Sequence, residues 1–204
     1  MSDLQELHQR IASCPDCDLC RTRTNAVPGE GPPDAEILFV GEGPGFYEDQ
    51  QSRPFVGPAG KFLEELLASI GLRRDQVFIT NVVKCRPPNN RDPLPGEIEA
   101  CRKYLERQIE LIKPKVIVSL GRYSLAWFSP GDKISKAHGQ VKVKDGIYFI
   151  PMYHPAAALH ASNMRKVIEE DFKKIPAVLD RASASGGPPE QAAPEPEPEQ
   201  MRLF

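Results

Sequence analysis

The chain has 204 residues, 40% hydrophobic and 26% charged, a balance that fits one folded domain with a real core and excludes a disordered or fibrous chain. No apolar run approaches the roughly 20 residues needed to span a bilayer, which argues against a membrane protein. The net charge of −2 hides a split, because residues 182–204 carry four Glu and one Arg while residues 1–181 sum to +1, so the total neither supports nor excludes a nucleic-acid partner.

In chain order, residues 4–12 read as a short amphipathic helix leading to Cys14. Residues 36–40 (EILFV) are an apolar run ended by glycine, which predicts a buried strand. Residues 60–70 have helical periodicity, with Phe62, Leu63, Leu66, Leu67 and Ile70 on one face and Gly71 as the stop. Residues 76–83 (QVFITNVV) are rich in β-branched residues and predict a second strand. The proline-laden CRPPNNRDPLPG that follows reads as irregular. Residues 97–112 predict a long helix, 115–120 (KVIVSL) a third strand and 121–128 another helix. Residues 141–151 predict a hairpin turning at Asp145-Gly146, whose second arm supplies a further strand and delivers His154. Residues 163–179 close the fold as one helix.

Strands alternating with helices imply an α/β fold, a three-layer α/β/α arrangement around a mostly parallel four-stranded sheet. Sites in such sheets lie at the carboxyl ends of the strands. The segments to read are therefore GEGPG (41–45), residues 81–86, GRYS (121–124) and YHPAA (153–157). The domain is expected to span residues 1–181. From residue 183 to 199 the chain is Ser, Ala, Gly, Pro and Glu apart from Gln191, which predicts a disordered tether over 182–204. It ends in Gln200-Met201-Arg202-Leu203-Phe204, two apolar residues on an acidic leash, in the manner of a docking peptide.

Five cysteines stand at positions 14, 17, 20, 85 and 101. Cys14 and Cys17 form a CxxC, and Cys85 and Cys101 do not, which argues against the paired knuckles of a zinc ribbon. Four thiolates at irregular spacings suit an iron–sulfur cluster better. Buried free thiols or a disulfide framework are the plain alternatives. No signal peptide opens the sequence, so a reducing, cytoplasmic setting is expected and disulfides are not.

Taken singly, the other candidates are weak. GEGPG fits neither common phosphate-loop spacing. A loop phenylalanine such as Phe55 is usually a satellite of the core, an Asn ending a strand such as Asn81 is usually a turn former, and a histidine before proline such as His154 is usually a capped loop residue. Their order says more. GEGPG, RPFVG, TNVVKCRPPNNRDP, a helix bearing a Cys, and YHPAA together resemble the family 4 uracil-DNA glycosylases, the iron–sulfur branch of the uracil-DNA glycosylase superfamily. The resemblance covers residues 4–179, and NVVKCRPPNNR is its most specific block.

The resemblance implies that Cys14, Cys17, Cys85 and Cys101 hold a structural [4Fe-4S] cluster, with Cys20 as the spare. It implies hydrolysis of the bond between uracil and deoxyribose in single- or double-stranded DNA, for base-excision repair. Phe55 matches the ring that stacks on uracil, Asn81 the amide that reads its edge, and His154 the donor to its O2, while the GEGPG backbone, Gly43 included, approaches the base. Better-known uracil glycosylases carry an aspartate where Gly43 stands, so Glu42 and Glu48 become the candidates for orienting water. Glu42 ranks first, with Glu48 as gate or partner. Arg86, Asn90 and Arg91 are candidate phosphate contacts and Leu159 a candidate wedge. His160 stands where the family commonly has Arg, and Arg165 or Lys166 is the candidate replacement. Phe46-Tyr47 fills a position that is often small or acidic. QMRLF resembles sliding-clamp-binding peptides, with Gln200, Met201, Leu203 and Phe204 as its anchors. A monomer is expected. Two rivals share the fold: a protein that traps uracil DNA covalently, disfavoured because no His follows Asn81 in that loop, and a non-enzymatic iron–sulfur DNA-binding protein, disfavoured by the combination of Phe55, Asn81 and His154.

Overall fold

The computed structural model describes residues 2–144 and 146–184. Five strands, β1 (Ile37–Gly41), β2 (Phe78–Asn81), β3 (Val116–Leu120), β4 (Lys142–Lys144) and β5 (Ile147–Met152), form one sheet in the order β2-β1-β3-β5-β4. All neighbours pair in parallel except β4, which runs antiparallel to β5. The expected four-stranded sheet thus has a fifth member, because the first arm of the hairpin adds itself to the edge. Lys142 of this edge strand pairs with Asp132, and a charged side chain on an edge discourages pairing with another chain.

The helices are α1 (Asp3–Ala12), α2 (Phe46–Gln51), α3 (Pro58–Ser69), α4 (Pro95–Ile112), α5 (Arg122–Phe128), α6 (Ile134–Ala137), α7 (Ala157–His160), α8 (Ser162–Phe172) and α9 (Ile175–Ala184). Alternation along β1 sorts the core into two layers. Leu38 and Val40 join Leu7 and Ile11 of α1, Leu105 of α4 and Leu125 of α5. Ile37 and Phe39 join Leu63 and Leu66 of α3, Phe172 of α8 and Val178 of α9. Both faces of the sheet are therefore covered, and every residue of β1, β2 and β3 is buried.

Two boundaries near the end of the described chain differ from the sequence reading. The closing helix is two helices, α8 and α9, with Pro176 in the first turn of the second. A proline there has no N–H to continue a ladder from α8 and its ring crowds the preceding turn. α9 also runs to Ala184 with Ala182 buried, so the folded part passes the expected limit at 181. The rest of the expected tether, and QMRLF, lie outside the described residues. No described helix is long and apolar enough to cross a membrane.

Candidate active site

At the carboxyl ends of β1, β2 and β5 a cavity of about 400 Å³ opens, lined by Glu42, Gly43, Gly45, Glu48, Phe55, Asn81, Asn90, Arg91 and His154, with Pro and Ala between them. Residues as far apart in sequence as Glu42 and His154 meet here because parallel strands deliver their loops to one end of the sheet. Backbone bonds from Val82 to Gly41 and from Val83 to Glu42 extend the β1–β2 ladder into these loops and fix Asn81 beside the glycine run.

Gly41 is the close-approach point. A Cβ there would overlap Asn81 Oδ1 and come within 2.7 Å of the Phe55 ring. Asn81 is 1% exposed, and its Oδ1 is buried without a hydrogen-bond partner. An acceptor left unpaired in a buried place costs on the order of 1–3 kcal/mol, so a strand end that carries one is poised for a donor.

Phe55 is held in an unusual conformation. Its φ is +51°, in the left-handed region that non-glycine residues rarely adopt. Arg74 secures it by donating to the Phe55 carbonyl at 3.0 Å and also to that of Pro54. Helix α3 packs so closely that a Cβ on Gly60 would overlap the same Phe55 carbonyl. The Phe55 ring stacks against the His154 imidazole, centroids 5.4 Å apart and planes 25° apart.

Glu48 is a clasp. Its Oε1 accepts from the backbone N–H of Val56 at 2.9 Å and Gly57 at 2.8 Å, and its Oε2 from Gly45 at 3.2 Å. It ties the GEGPG loop to the loop that carries Phe55. Glu42 is different. Its carboxylate makes no side-chain hydrogen bond among the described residues, and burial first, then nearby Asp92, holds its pKa above the ordinary carboxylate value. The structure thus separates two carboxylates that the sequence left close in rank.

His154 sits in the pocket wall with some of its surface open to the cavity. Its Nδ1 accepts from the Ala156 N–H at 3.1 Å, which places the proton of the neutral ring on Nε2. Burial pulls its pKa down to about 4, against a weaker upward pull from Glu48. The imidazole is therefore neutral at pH 7 and keeps one N–H donor.

The DNA-contact candidates are scattered. Arg91 lines the cavity but is paired bidentately with Glu97, at 2.5 and 2.9 Å. Arg86 reaches Asn90 Oδ1 at 2.7 Å and lies over the Phe46 ring. Leu159, on α7, is 49% exposed, as a wedge would need to be. Arg165 pairs with Glu65 and Glu169 over the Phe62 ring and does not line the cavity.

All five cysteines line a second, narrower hollow with Arg23, Lys84 and Tyr104. None forms a disulfide. Among the described residues no three His, Cys, Asp or Glu are grouped to chelate a single metal ion. Two of the thiols accept N–H donors: the Arg23 guanidinium donates to Cys85 Sγ at 2.9 Å and the Lys84 backbone N–H to Cys101 Sγ at 3.3 Å, contacts of the kind that sulfur ligands of iron–sulfur centres receive. Burial pushes the Cys17 and Cys85 thiols up and Cys101 to about 11, so anionic sulfur here needs compensating positive charge. Cys20 donates to the Pro15 carbonyl at 3.8 Å.

Lys84 joins the two hollows. It is fully buried, and its Nζ donates to the Asn81 carbonyl at 2.6 Å, Thr80 Oγ1 at 2.7 Å and Gln108 Oε1 at 2.7 Å. Gln108 in turn donates to the Pro28 carbonyl. Sequence reasoning missed Lys84 and Arg74, although a lysine inside the apolar run VVKC was the available signal for the first.

A profile of the uracil DNA glycosylase superfamily matches residues 28–175. The chain is 56% identical over 186 residues to the type-4 uracil-DNA glycosylase of Sulfurisphaera tokodaii, covering 86% of this chain and 84% of that protein. It is 52% identical to the type-4 enzyme of Archaeoglobus fulgidus, over 86% of this chain and 92% of that one, and 48% identical to that of Saccharolobus solfataricus, over 88% of each. An α/β fold that gathers an aromatic ring, an unpaired amide and a neutral imidazole at its strand ends has the build of a base-processing hydrolase. The chain belongs to the uracil-DNA glycosylase superfamily, in its type-4 branch.

Proposed function

We propose that this chain excises uracil from DNA in base-excision repair, with the flipped base held in the cavity between Phe55, Asn81 and His154. The observation that carries this is Asn81, whose buried acceptor has no partner while a neutral donor ring stands in the same pocket. Uracil N3–H donates to that acceptor and O4 accepts from the same amide. Cytosine offers the reverse pattern, and a site with buried groups left unpaired rejects it strongly.

The glycosidic carbon is inaccessible in stacked DNA, so the nucleotide must leave the helix. Phe55 gives the base an apolar face. As the C1′–N1 bond breaks, the sugar turns cationic and uracil departs as an anion. The His154 Nε2–H donates to O2 and stabilises that charge without giving up its proton. Glu42 faces the cationic sugar, orients a water and accepts its proton as the C1′–O bond forms. Glu48, spent on three backbone N–H groups, positions Phe55 and the glycine loop rather than the water. Gly43 leaves room for the base.

Cys14, Cys17, Cys85 and Cys101 would hold a [4Fe-4S] cluster, which supplies cross-linking and no chemistry on the sugar. It would clamp the segment after α1, the loop after β2 and α4 together, with Lys84 linking that clamp to Asn81. A cytoplasmic monomer is the setting we propose, and QMRLF a tether to a sliding clamp. The support for that tether is its sequence alone, and deleting residues 200–204 should abolish clamp binding while activity on short oligonucleotides stays intact.

The test of function is incubation with a uracil-containing oligonucleotide. Free uracil and an alkali-labile break at that position are expected, with neither from a cytosine control. An intact strand after exposure to folded protein would refute the reading.

A further inference from the structure

Phe46 and Tyr47 are 50% and 52% exposed, the two aromatics among the exposed large hydrophobic residues described. They open α2 directly after Gly45, which lines the cavity. Their rings meet edge to face, 5.6 Å apart. Tyr47 is seated over Gly57, where a Cβ would come within 3.2 Å of its ring. The Arg86 guanidinium lies 5.2 Å from the Phe46 centroid, and its Nε is anchored on Asn90, another cavity residue. Two loops of the rim thus hold out a ring and a cation that serve no core layer.

A strand that gives one base to the cavity continues across this rim, and the bases beside the vacated position have lost a stacking partner. An exposed aromatic ring beside an arginine suits such a base, because every nucleobase has a flat face and the backbone beside it is anionic. We propose that Phe46, with Tyr47 and Arg86, forms a stacking subsite for the nucleobase next to the extruded uracil in the same strand. The proposal rests on the uracil-excision reading and goes beyond it: the subsite is indifferent to sequence and substitutes for the duplex stack, so it favours capture of uracil in single-stranded DNA.

The experiment uses single-stranded uracil oligonucleotides in which the nucleotide on one side of uracil, then the other, is replaced by a base-free spacer. For the wild type, the spacer on one side should raise KM about tenfold with kcat unchanged, the size expected of one base–aromatic stack. F46A/Y47A should show that raised KM on the intact strand and no further response to the spacer, while Phe46→Trp keeps the wild-type pattern. Unchanged thermal unfolding of both variants serves as the check on folding. A wild type indifferent to both spacers, or a double variant as spacer-sensitive as the wild type, would overturn the subsite and leave uracil excision standing. Absence of uracil release from every oligonucleotide would instead overturn the excision reading, and the subsite with it.

Discussion

His154→Gln and His154→Ala, taken with the pH dependence of the rate, probe the electrostatic heart of the site. The structure sets the imidazole's pKa at about 4, so at pH 7 only about one ring in a thousand is protonated, against about one in four for an ordinary histidine. The group at O2 is then a neutral Nε2–H donor throughout the physiological range. Removing one such donor costs a rate of about 10²–10³-fold, or roughly 2.7–4 kcal/mol of barrier. His154→Ala should lose that much in the maximal single-turnover rate with little change in the enzyme concentration that half-saturates it. His154→Gln, which keeps an N–H, should lose less. The wild-type profile should be flat through neutrality, with an acid limb belonging to Glu42 and lying above the ordinary carboxylate range, because Glu42 must be ionised to act. That limb should persist in His154→Gln and vanish in Glu42→Gln. A limb near the ordinary histidine value of about 6.5 that His154→Gln abolishes would refute the neutral-ring argument. Stability carries the same signature. The folded pKa is depressed, so the unfolded chain takes up the proton first, and stability is lost as pH falls from about 6.5 towards 4. The Tm of His154→Gln should fall less steeply in that window.

Asn81→Ala should lower kcat/KM on uracil by at least about 10²-fold and narrow the preference for uracil over cytosine, measured by competition between the two oligonucleotides. Gly41→Ala should keep the fold and lose most activity, since its Cβ displaces Asn81 and Phe55; a crystal structure with both side chains unmoved would count against it. Lys84→Met strands the Asn81 carbonyl and the Gln108 oxygen, and should cost about 3 kcal/mol, read as a Tm fall of roughly 6–12 °C. Anaerobically purified protein should be brown and contain iron; Cys101→Ser should lose that iron while Cys20→Ser retains it, and equal iron in both would displace the ligand assignment.

The sheet was legible because its strands are apolar or β-branched runs whose ends are marked by glycine, proline or asparagine, and the helix containing Leu63 and Leu66 by its periodicity. The convergence of Phe55, Asn81 and His154 was legible only through the order of motifs, since no local pattern says that loops 26 and 73 residues apart share a cavity. The break before α9 was readable from Pro176 and was overlooked for the apolar periodicity around it. The short α2 left no apolar face to read, because its Phe46 and Tyr47 point outward. The distinction between Glu42 and Glu48 was beyond sequence, for it depends on which carboxylate meets the N–H groups of Val56 and Gly57 eight and nine residues away.

The shared-cavity account is tested most directly by the crystal structure of the chain with a non-hydrolysable uracil nucleotide in single-stranded DNA. It should show the base flat on Phe55, its N3–O4 edge on the Asn81 amide, and O2 within hydrogen-bond distance of His154 Nε2. A uracil bound elsewhere, or seated with O2 turned away from that imidazole, would contradict it.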